Sequence, residues 1–278
     1  PPARRGMVLK PHATSLNRVT PWRVTAAFLP GLVAGVFAML ASGPMPQPLS
    51  YHDFADNRVW LGIPHAGDVL TNLAFLVVGA WGLWFLAQPK RTHQSVVDER
   101  ERHLFRWFFL GVLLTAFGSG WYHLAPENYS LVWDRLPMAV AFMSIFSIMV
   151  AERVSLPVGV AILKPLILIG LVSVLWWIWT EHNDRGDLRW YLIVQFYPLF
   201  TMALMLLLLP TMYTHGHDYW GLFFFYVAAK VVEVLDHAIF DLTHELVSCH
   251  NLNHLLAAAG AAWLLLMLWL IKSVMAGQ

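Results

Sequence analysis

The sequence predicts an all-α protein built as a polytopic bundle of transmembrane helices. The chain of 278 residues is 58% hydrophobic and only 13% charged, far more apolar than a soluble domain of this length. Its apolar stretches reach the roughly 20 residues that an α-helix needs to cross a bilayer. The sequence has none of the alternating segments of about ten residues that build a membrane β-barrel. A helical bundle is therefore the fold class that satisfies the backbone inside lipid.

Eight apolar stretches of spanning length follow one another, and no soluble domain separates them. They cover residues 23–42, 68–88, 104–123, 132–151, 158–180, 188–210, 219–240 and 251–272. We divide the chain into an N-terminal tail (1–22), an extra N-terminal helix (23–42), an outward-facing acidic loop (43–67), a seven-helix core (68–272) and a C-terminal tail (273–278).

The first apolar stretch also fits a secretory signal peptide. Basic residues precede it, and it ends in the small residues Ala41, Ser42 and Gly43. The apolar run is long for a signal peptide, however, and no clear small-x-small cleavage motif follows it. We therefore expect this segment to be retained as a membrane helix.

The positions of Lys and Arg predict the orientation of the helices. Many lie in the tails and loops of one side, including Arg4, Arg5, Arg100 and Arg102, whereas the opposite side holds Arg58, Arg135, Arg185 and Arg189. Because basic loops tend to stay in the cytoplasm, we expect both termini to be cytoplasmic. Loops 43–67, 124–131, 181–187 and 241–250 then face the periplasm or an organelle lumen.

Three histidines and Asp134 stand at one predicted depth, at the non-cytoplasmic ends of three helices, and Ser119 lies one turn before His123. Ser119 and His123 are four residues apart, as are His250 and His254, and residues at this spacing share one helix face. Three imidazoles with an open fourth position describe a catalytic zinc site, where the pKa of bound water falls to about 7. Asp134 could accept that water's proton, and Ser119 could donate a hydrogen bond to the oxyanion.

Other interpretations of these histidines were weighed against the metal site. A single histidine at this depth is more often a hydrogen-bonded interfacial residue than a ligand. Haem needs axial ligands on opposite faces of its ring, which two histidines one turn apart on one helix cannot supply. Tyr122, beside His123, is expected to point elsewhere and to anchor at the membrane interface.

These residues resemble the motifs of the alkaline ceramidases. The similarity is carried by Ser119-Gly-Trp-Tyr-His123, by Asp134 eleven residues after that histidine, and by His250-x-x-x-His254. Alkaline ceramidases belong to a superfamily of seven-helix membrane hydrolases that also includes the progestin and adiponectin receptors. The resemblance covers about residues 52–272 and implies zinc on the three histidines, with Ser119 and Asp134 as catalytic partners. It also implies hydrolysis of the ceramide amide to a sphingoid base and a fatty acid.

Two alternatives to this function stay open. One is a receptor or lipid sensor of the same superfamily, in which the zinc is structural. The other is a hydrolase of another amide lipid or of an ester lipid. All three predict a lipid that enters from the bilayer as the partner, and none predicts nucleic-acid binding.

The resemblance also implies a calcium site in the loop before the core. Ceramidases carry a D-W-x-E-x-N segment there and a later glutamate. This sequence has Asp53-Phe-Ala-Asp56-Asn57, with Asp in place of Glu and the Asn one position early, and Asp68 lies one residue from the later acid. Oxygen ligands of this kind suit calcium. A solvated acidic loop with helix-capping aspartates explains the same residues.

Four ionisable residues fall within the predicted span 219–240, namely Lys230, Glu233, Asp236 and His237. Charged groups at membrane depth are costly and are usually paired or line a wet cavity. We predict an internal ion-pair network in which Glu233 interacts with Lys230 and His237 along one helix face. We also predict that Asp236 accepts a hydrogen bond from a ligand imidazole.

Overall fold

The computed structural model describes residues 20–88, 99–211 and 217–275, and it confirms the all-α fold class. Within these ranges the regular structure is helical, with no strand beyond a single isolated bridge between Trp60 and Ile63. Most of the predicted N-terminal tail and the last three residues of the C-terminal tail lie outside the described residues.

Ten α-helices and one short 3₁₀ turn make up the described chain. The helices are α1 (Pro21–Ala41), α2 (Ala66–Thr71), α3 (Leu73–Leu86), α4 (Glu99–Leu124), α5 (Asn128–Arg153), α6 (Leu156–His182), α7 (Arg189–Leu208), α8 (Tyr219–Val234), α9 (Asp236–Leu242) and α10 (Cys249–Met275). The 3₁₀ turn covers Leu49–His52, in the loop between α1 and α2.

Among the described residues, seven helical segments are long and apolar enough to cross a membrane. They are Pro21–Ala41, Ala66–Leu86, Glu99–Leu124, Asn128–Arg153, Leu156–His182, Arg189–Leu208 and Cys249–Leu270. Since α2 and α3 follow one another directly, they count together as one of these segments. The chain is thus an integral, multi-pass membrane protein.

The predicted span 219–240 is the one that differs from the structure. Helix α8 has 16 residues and ends at Val234, and α9 begins at Asp236 after a break at Leu235. The Asp236 carboxylate accepts hydrogen bonds from the backbone N–H groups of Ala55 and His250, which bind this position to neighbouring segments. At about 1.5 Å per residue, α8 alone reaches about 24 Å and falls short of a hydrocarbon core of about 30 Å.

Helix α5 is the centre of the bundle and packs against α4, α6 and α7. A capping box between Glu127 and Ser130 fixes where α5 begins. Helices α4 and α5 approach closely at Gly118, where an added Cβ would overlap the carbonyl oxygen of Trp133. This close approach places Ser119, the next residue of α4, beside Asp134 of α5.

Helix α1 lies at the edge of the bundle, against α7. Only 11% of its membrane-spanning window is buried, compared with 72% for α5. The Arg189 guanidinium donates hydrogen bonds to the carbonyl oxygens of Met39 and Ser42, at 2.9 and 2.6 Å, and so ties the end of α1 to the start of α7.

Candidate metal centre

Three histidines converge at one end of the bundle, as the sequence predicts. His123 lies in the last turn of α4, and His250 and His254 lie in the first turns of α10. One nitrogen of each imidazole lies within 4.8 Å of the corresponding nitrogen of the others. The three ring centroids are separated by 4.8 to 4.9 Å. Such a group of imidazoles can hold a metal ion.

The spacing of two of these nitrogens fits a tetrahedral ion. Nε2 of His123 lies 3.3 Å from Nε2 of His250. Metal–nitrogen bonds of about 2.0–2.1 Å in tetrahedral geometry separate two ligand nitrogens by about 3.3 Å. Both rings are buried or nearly so. The donor set therefore suits a divalent metal that prefers nitrogen ligands.

Thr71 orients the third histidine. Its Oγ1 lies 2.9 Å from the carbonyl oxygen of Gly67 and 2.9 Å from Nδ1 of His254. Because the hydroxyl proton goes to the carbonyl, the Thr71 oxygen accepts the Nδ1 proton of His254. This contact leaves the Nε2 lone pair of His254 available to a metal.

Asp236 supports the site in a different way from the predicted one. Its Oδ1 accepts the backbone N–H of His250 at 2.8 Å and the Ser248 hydroxyl at 3.1 Å. Its Oδ2 accepts the backbone N–H of Ala55 at 3.0 Å. Asp236 therefore fixes the start of α10 through the backbone of His250, and not through an imidazole.

Ser119 and Asp134 lie together beside the histidines. The Ser119 hydroxyl hydrogen-bonds the Asp134 carboxylate, and both residues line the same cavity as His250 and His254. The structure thus brings the predicted carboxylate and hydroxyl to the three histidines. We call this end of the molecule the metal-site end.

Tyr122 is not an interfacial anchor, contrary to the prediction. Its side chain is buried and lines the cavity, and its hydroxyl lies 2.8 Å from Nδ1 of His52. Nε2 of His52 lies 2.9 Å from Oδ1 of Asn128. Since that amide oxygen only accepts, His52 carries its proton on Nε2, and the Tyr122 hydroxyl donates to Nδ1.

Phe54 covers the histidines from the loop before α2. Its ring centroid lies 4.7 Å from that of His123 and 4.4 Å from that of His250, and the side chain is buried. Neither Phe54 nor His52 was identified as a site residue from the sequence. Both come from a loop whose path over the helix ends has no periodic sequence signal.

The loop aspartate predicted to bind calcium is already neutralised. Asp56 accepts the Arg58 guanidinium through both carboxylate oxygens, at 2.7 and 2.6 Å. This hydrogen bonding holds the pKa of the Asp56 carboxyl below its usual range. A calcium ion would have to displace Arg58 to reach these oxygens.

The other predicted calcium ligands lie in different surroundings. Asp53 is largely exposed, Asn57 donates its side-chain amide to the carbonyl oxygen of Phe54, and Asp68 is buried. Within the described residues, the histidine trio is the group of three or more metal-binding side chains close enough to share an ion. The calcium site therefore stays a prediction, and Arg58 occupies one of its carboxylates.

A cavity extends from the histidines into the bundle. Most of its wall is apolar, with Phe75 of α3, Phe108 of α4, Met138 of α5, Met202 of α7 and Ala257 of α10 among the lining residues. Ligand cavities are typically of this kind, apolar with a few convergent polar groups.

A partly buried ion pair forms part of the same wall. Nζ of Lys230 lies 2.5 Å from Oε2 of Glu233, which confirms this part of the predicted network. His237 takes a different partner from the predicted Glu233, because its Nε2 lies 2.9 Å from the carbonyl oxygen of Asp53.

Comparison of the chain with protein-family models finds no match, and comparison with curated protein sequences finds none either.

Proposed function

We propose that this protein is a membrane-embedded, zinc-dependent hydrolase of lipid amides, with ceramide as its substrate. The observation that carries the proposal is the convergence of three histidine nitrogens at the end of a long apolar cavity. The partly buried carboxylate of Asp134 and the buried hydroxyl of Ser119 line the same cavity. Such a hydrolase needs metal ligands, a proton acceptor and an apolar cavity that can take up the hydrocarbon part of a lipid.

Different residues of the site have different roles in the proposed amide hydrolysis. A bound zinc ion supplies an activated water and polarises the amide carbonyl. Asp134 accepts a proton from the attacking water and returns it to the amine nitrogen as the C–N bond breaks. Protonation of Asp134 frees the Ser119 hydroxyl, which then donates a hydrogen bond to the oxyanion.

The cavity matches a substrate with long hydrocarbon chains. His250 and Ala261 both line it and are eleven residues apart on α10, so the cavity follows about 16 Å of helix. Burial of acyl chains along this wall contributes about 0.8 kcal/mol per methylene group. We propose that the lipid enters sideways from the non-cytoplasmic leaflet, in line with the cytoplasmic termini that the Lys and Arg distribution predicts.

A structural metal in a lipid sensor is the second candidate function. The observation that favours it is the position of Phe54, whose ring packs on His123 and His250 and shields that face of the site from water. A closed coordination sphere is typical of structural zinc, whereas a catalytic zinc keeps an open position.

Metal analysis and product detection on detergent-purified protein separate these functions. We expect about one zinc per chain and release of a sphingoid base and a fatty acid from ceramide, measured by mass spectrometry. The Asp134→Asn variant should keep its zinc and lose about 10²- to 10⁴-fold in turnover. Asp241→Asn, an exposed aspartate of α9, serves as the matched control and should behave as the wild type.

Three outcomes contradict the proposal in different ways. If the protein binds zinc but releases no product from any amide or ester lipid, the result supports the lipid-sensor function. If only ester lipids are hydrolysed, the protein is an ester hydrolase and not an amide hydrolase. Full turnover in Asp134→Asn removes that residue from the proposed mechanism.

A further inference from the structure

Helix α8 presents a polar stripe to the otherwise apolar cavity. Tyr226, Lys230 and Glu233 all line it, and their spacing of four and three residues places them on one helix face. The Tyr226 hydroxyl accepts a hydrogen bond from the Gln195 side chain of α7 at 3.0 Å. The proposed hydrolysis uses none of these residues.

The Lys230–Glu233 pair is accessible from the cavity. The two side chains keep 30% and 18% of their surface exposed, although both lie within the bundle. Among the residues that the structure describes, Lys230 donates a hydrogen bond to Glu233 alone. Further ammonium protons of Lys230 and the second carboxylate oxygen of Glu233 are therefore available to a ligand.

The pair also lies close to the proposed reaction centre. Glu233 comes three residues before Asp236, whose carboxylate holds the backbone of His250. Asp134, Ser119 and the ion pair line one continuous cavity. A lipid whose amide sits at the histidines would thus place atoms near its amide against Lys230 and Glu233.

We propose that Lys230 and Glu233 form a binding site for hydroxyl groups that the lipid carries close to its amide. The inference rests on the proposed function only for the position of that amide. The pair has no net charge and offers both donors and an acceptor, and a hydroxyl group both donates and accepts. A fatty-acid carboxylate or an amine would meet one like charge as well as one opposite charge in this pair, and would gain less than a neutral hydroxyl that both donates and accepts.

The membrane environment strengthens this assignment. Two apolar side chains of similar volume would fill this space without the desolvation cost of an ion pair. Contact with a polar part of a ligand offsets that cost, because each hydroxyl then bonds a charged partner away from water.

The test compares two lipids with identical chains in the Asp134→Asn background, so that binding is measured without turnover. One lipid is an N-acyl 2-amino-1,3-diol, and the other is the N-acyl alkylamine that lacks both hydroxyls. Their affinities follow from displacement of a fluorescent fatty amide. We expect a preference for the diol of about 10- to 100-fold. The double variant K230M/E233M, which leaves no unpaired charge, should reduce this ratio to about one.

Phe223→Leu is the matched control, because Phe223 is an apolar residue of the same helix and lines the same cavity. This variant should lower the binding affinity of both lipids by a similar factor and so preserve the ratio of the two affinities. Circular dichroism and metal content establish that each variant is folded. An unaltered ratio in K230M/E233M overturns the inference, as does tighter binding of a free fatty acid than of the diol. If the diol preference depends on the pair but no lipid is hydrolysed by the wild type, the proposed function fails and this inference stands.

Discussion

Two ion pairs occupy different depths of the bundle, and one is far more buried than the other. Glu152 and Arg153 lie at the end of α5 remote from the histidines, and their side chains are almost completely buried. Arg153 donates to the carbonyl oxygen of Leu209 at 3.1 Å, and Glu152 accepts the Thr211 hydroxyl at 3.0 Å. Lys230 and Glu233 face a cavity and keep part of their surface accessible. The ion pair at one end of the bundle is therefore buried among protein groups, whereas the pair at the other end lines a cavity.

This comparison predicts that changes at the metal-site end affect chemistry, whereas changes at the opposite end affect stability.

The largest effect is expected from His250→Ala, which removes one of the three proposed zinc ligands. Zinc content should fall to background, and turnover should fall by about a thousandfold or more, since zinc supplies several kcal/mol of transition-state stabilisation. His217→Ala, whose histidine lies near the start of α8 and does not line the cavity, is the control. Retained zinc with full turnover would exclude His250 as a ligand.

The next largest effect is expected at the opposite end. Arg153→Met leaves the Glu152 carboxylate buried without its cation, which should cost about 3–5 kcal/mol of stability. Thermal unfolding in detergent measures the loss. Turnover per folded molecule should stay at the wild-type level, because this pair does not line the cavity. The double variant E152M/R153M should recover much of the stability, and a double variant as unstable as R153M would contradict this explanation.

Much of the fold could be predicted because lipid leaves few alternatives for a long apolar segment. The bounds of seven spanning segments follow from hydropathy alone. The span 219–240 was misjudged because its break at Leu235 depends on Asp236, whose carboxylate binds backbone N–H groups of Ala55 and His250. Those partners are distant in sequence, so no local pattern marks the break.

The convergence of the three histidines was predictable for a different physical reason. The four-residue spacing of His250 and His254 fixes a shared helix face, and His123 ends a neighbouring helix at the same depth. Phe54 and His52 could not be predicted, because they reach the site from a loop. Arg58 stands only two residues from Asp56, so the ion pair that occupies this aspartate had a local signal that the acidic pattern concealed.

A smaller effect at the metal-site end is expected from a substitution of Thr71, whose hydroxyl contacts the histidine trio through its hydrogen bond to His254. Thr71→Val keeps the shape of the side chain but removes the oxygen that accepts the Nδ1 proton of His254. Zinc affinity should weaken by about 10- to 100-fold, as measured by competition with a chelator. Thr71→Ser, which retains the hydroxyl, should bind zinc as the wild type does. Equal affinity of the Val and Ser variants would show that the hydrogen bond does not orient this ligand.

The smallest effect is expected at α1, which is far less buried than α5 and is held by Arg189. Asp187 orients that guanidinium through two hydrogen bonds of 2.7 and 2.8 Å, and Arg189 holds the pKa of the Asp187 carboxyl below its usual range. A lowered pKa in the folded state means that the pair stabilises the fold above the unfolded value of about 3.9. That contribution is lost as the pH falls through the folded pKa.

Hydrogen exchange at residues 39–42 should therefore be constant between about pH 5 and 8, after correction for the intrinsic rate, and should rise only below about pH 4. Asp187→Asn should raise this exchange a few-fold at neutral pH and abolish the rise in acid. Asp184→Asn, in the same loop but outside this pair, should leave the profile as it is in the wild type. Zinc content and turnover should not respond to either change, because α1 packs on the outside of α7 and supplies no residue to the cavity. A loss of zinc in Asp187→Asn would show that the edge of the bundle and the metal-site end are not independent.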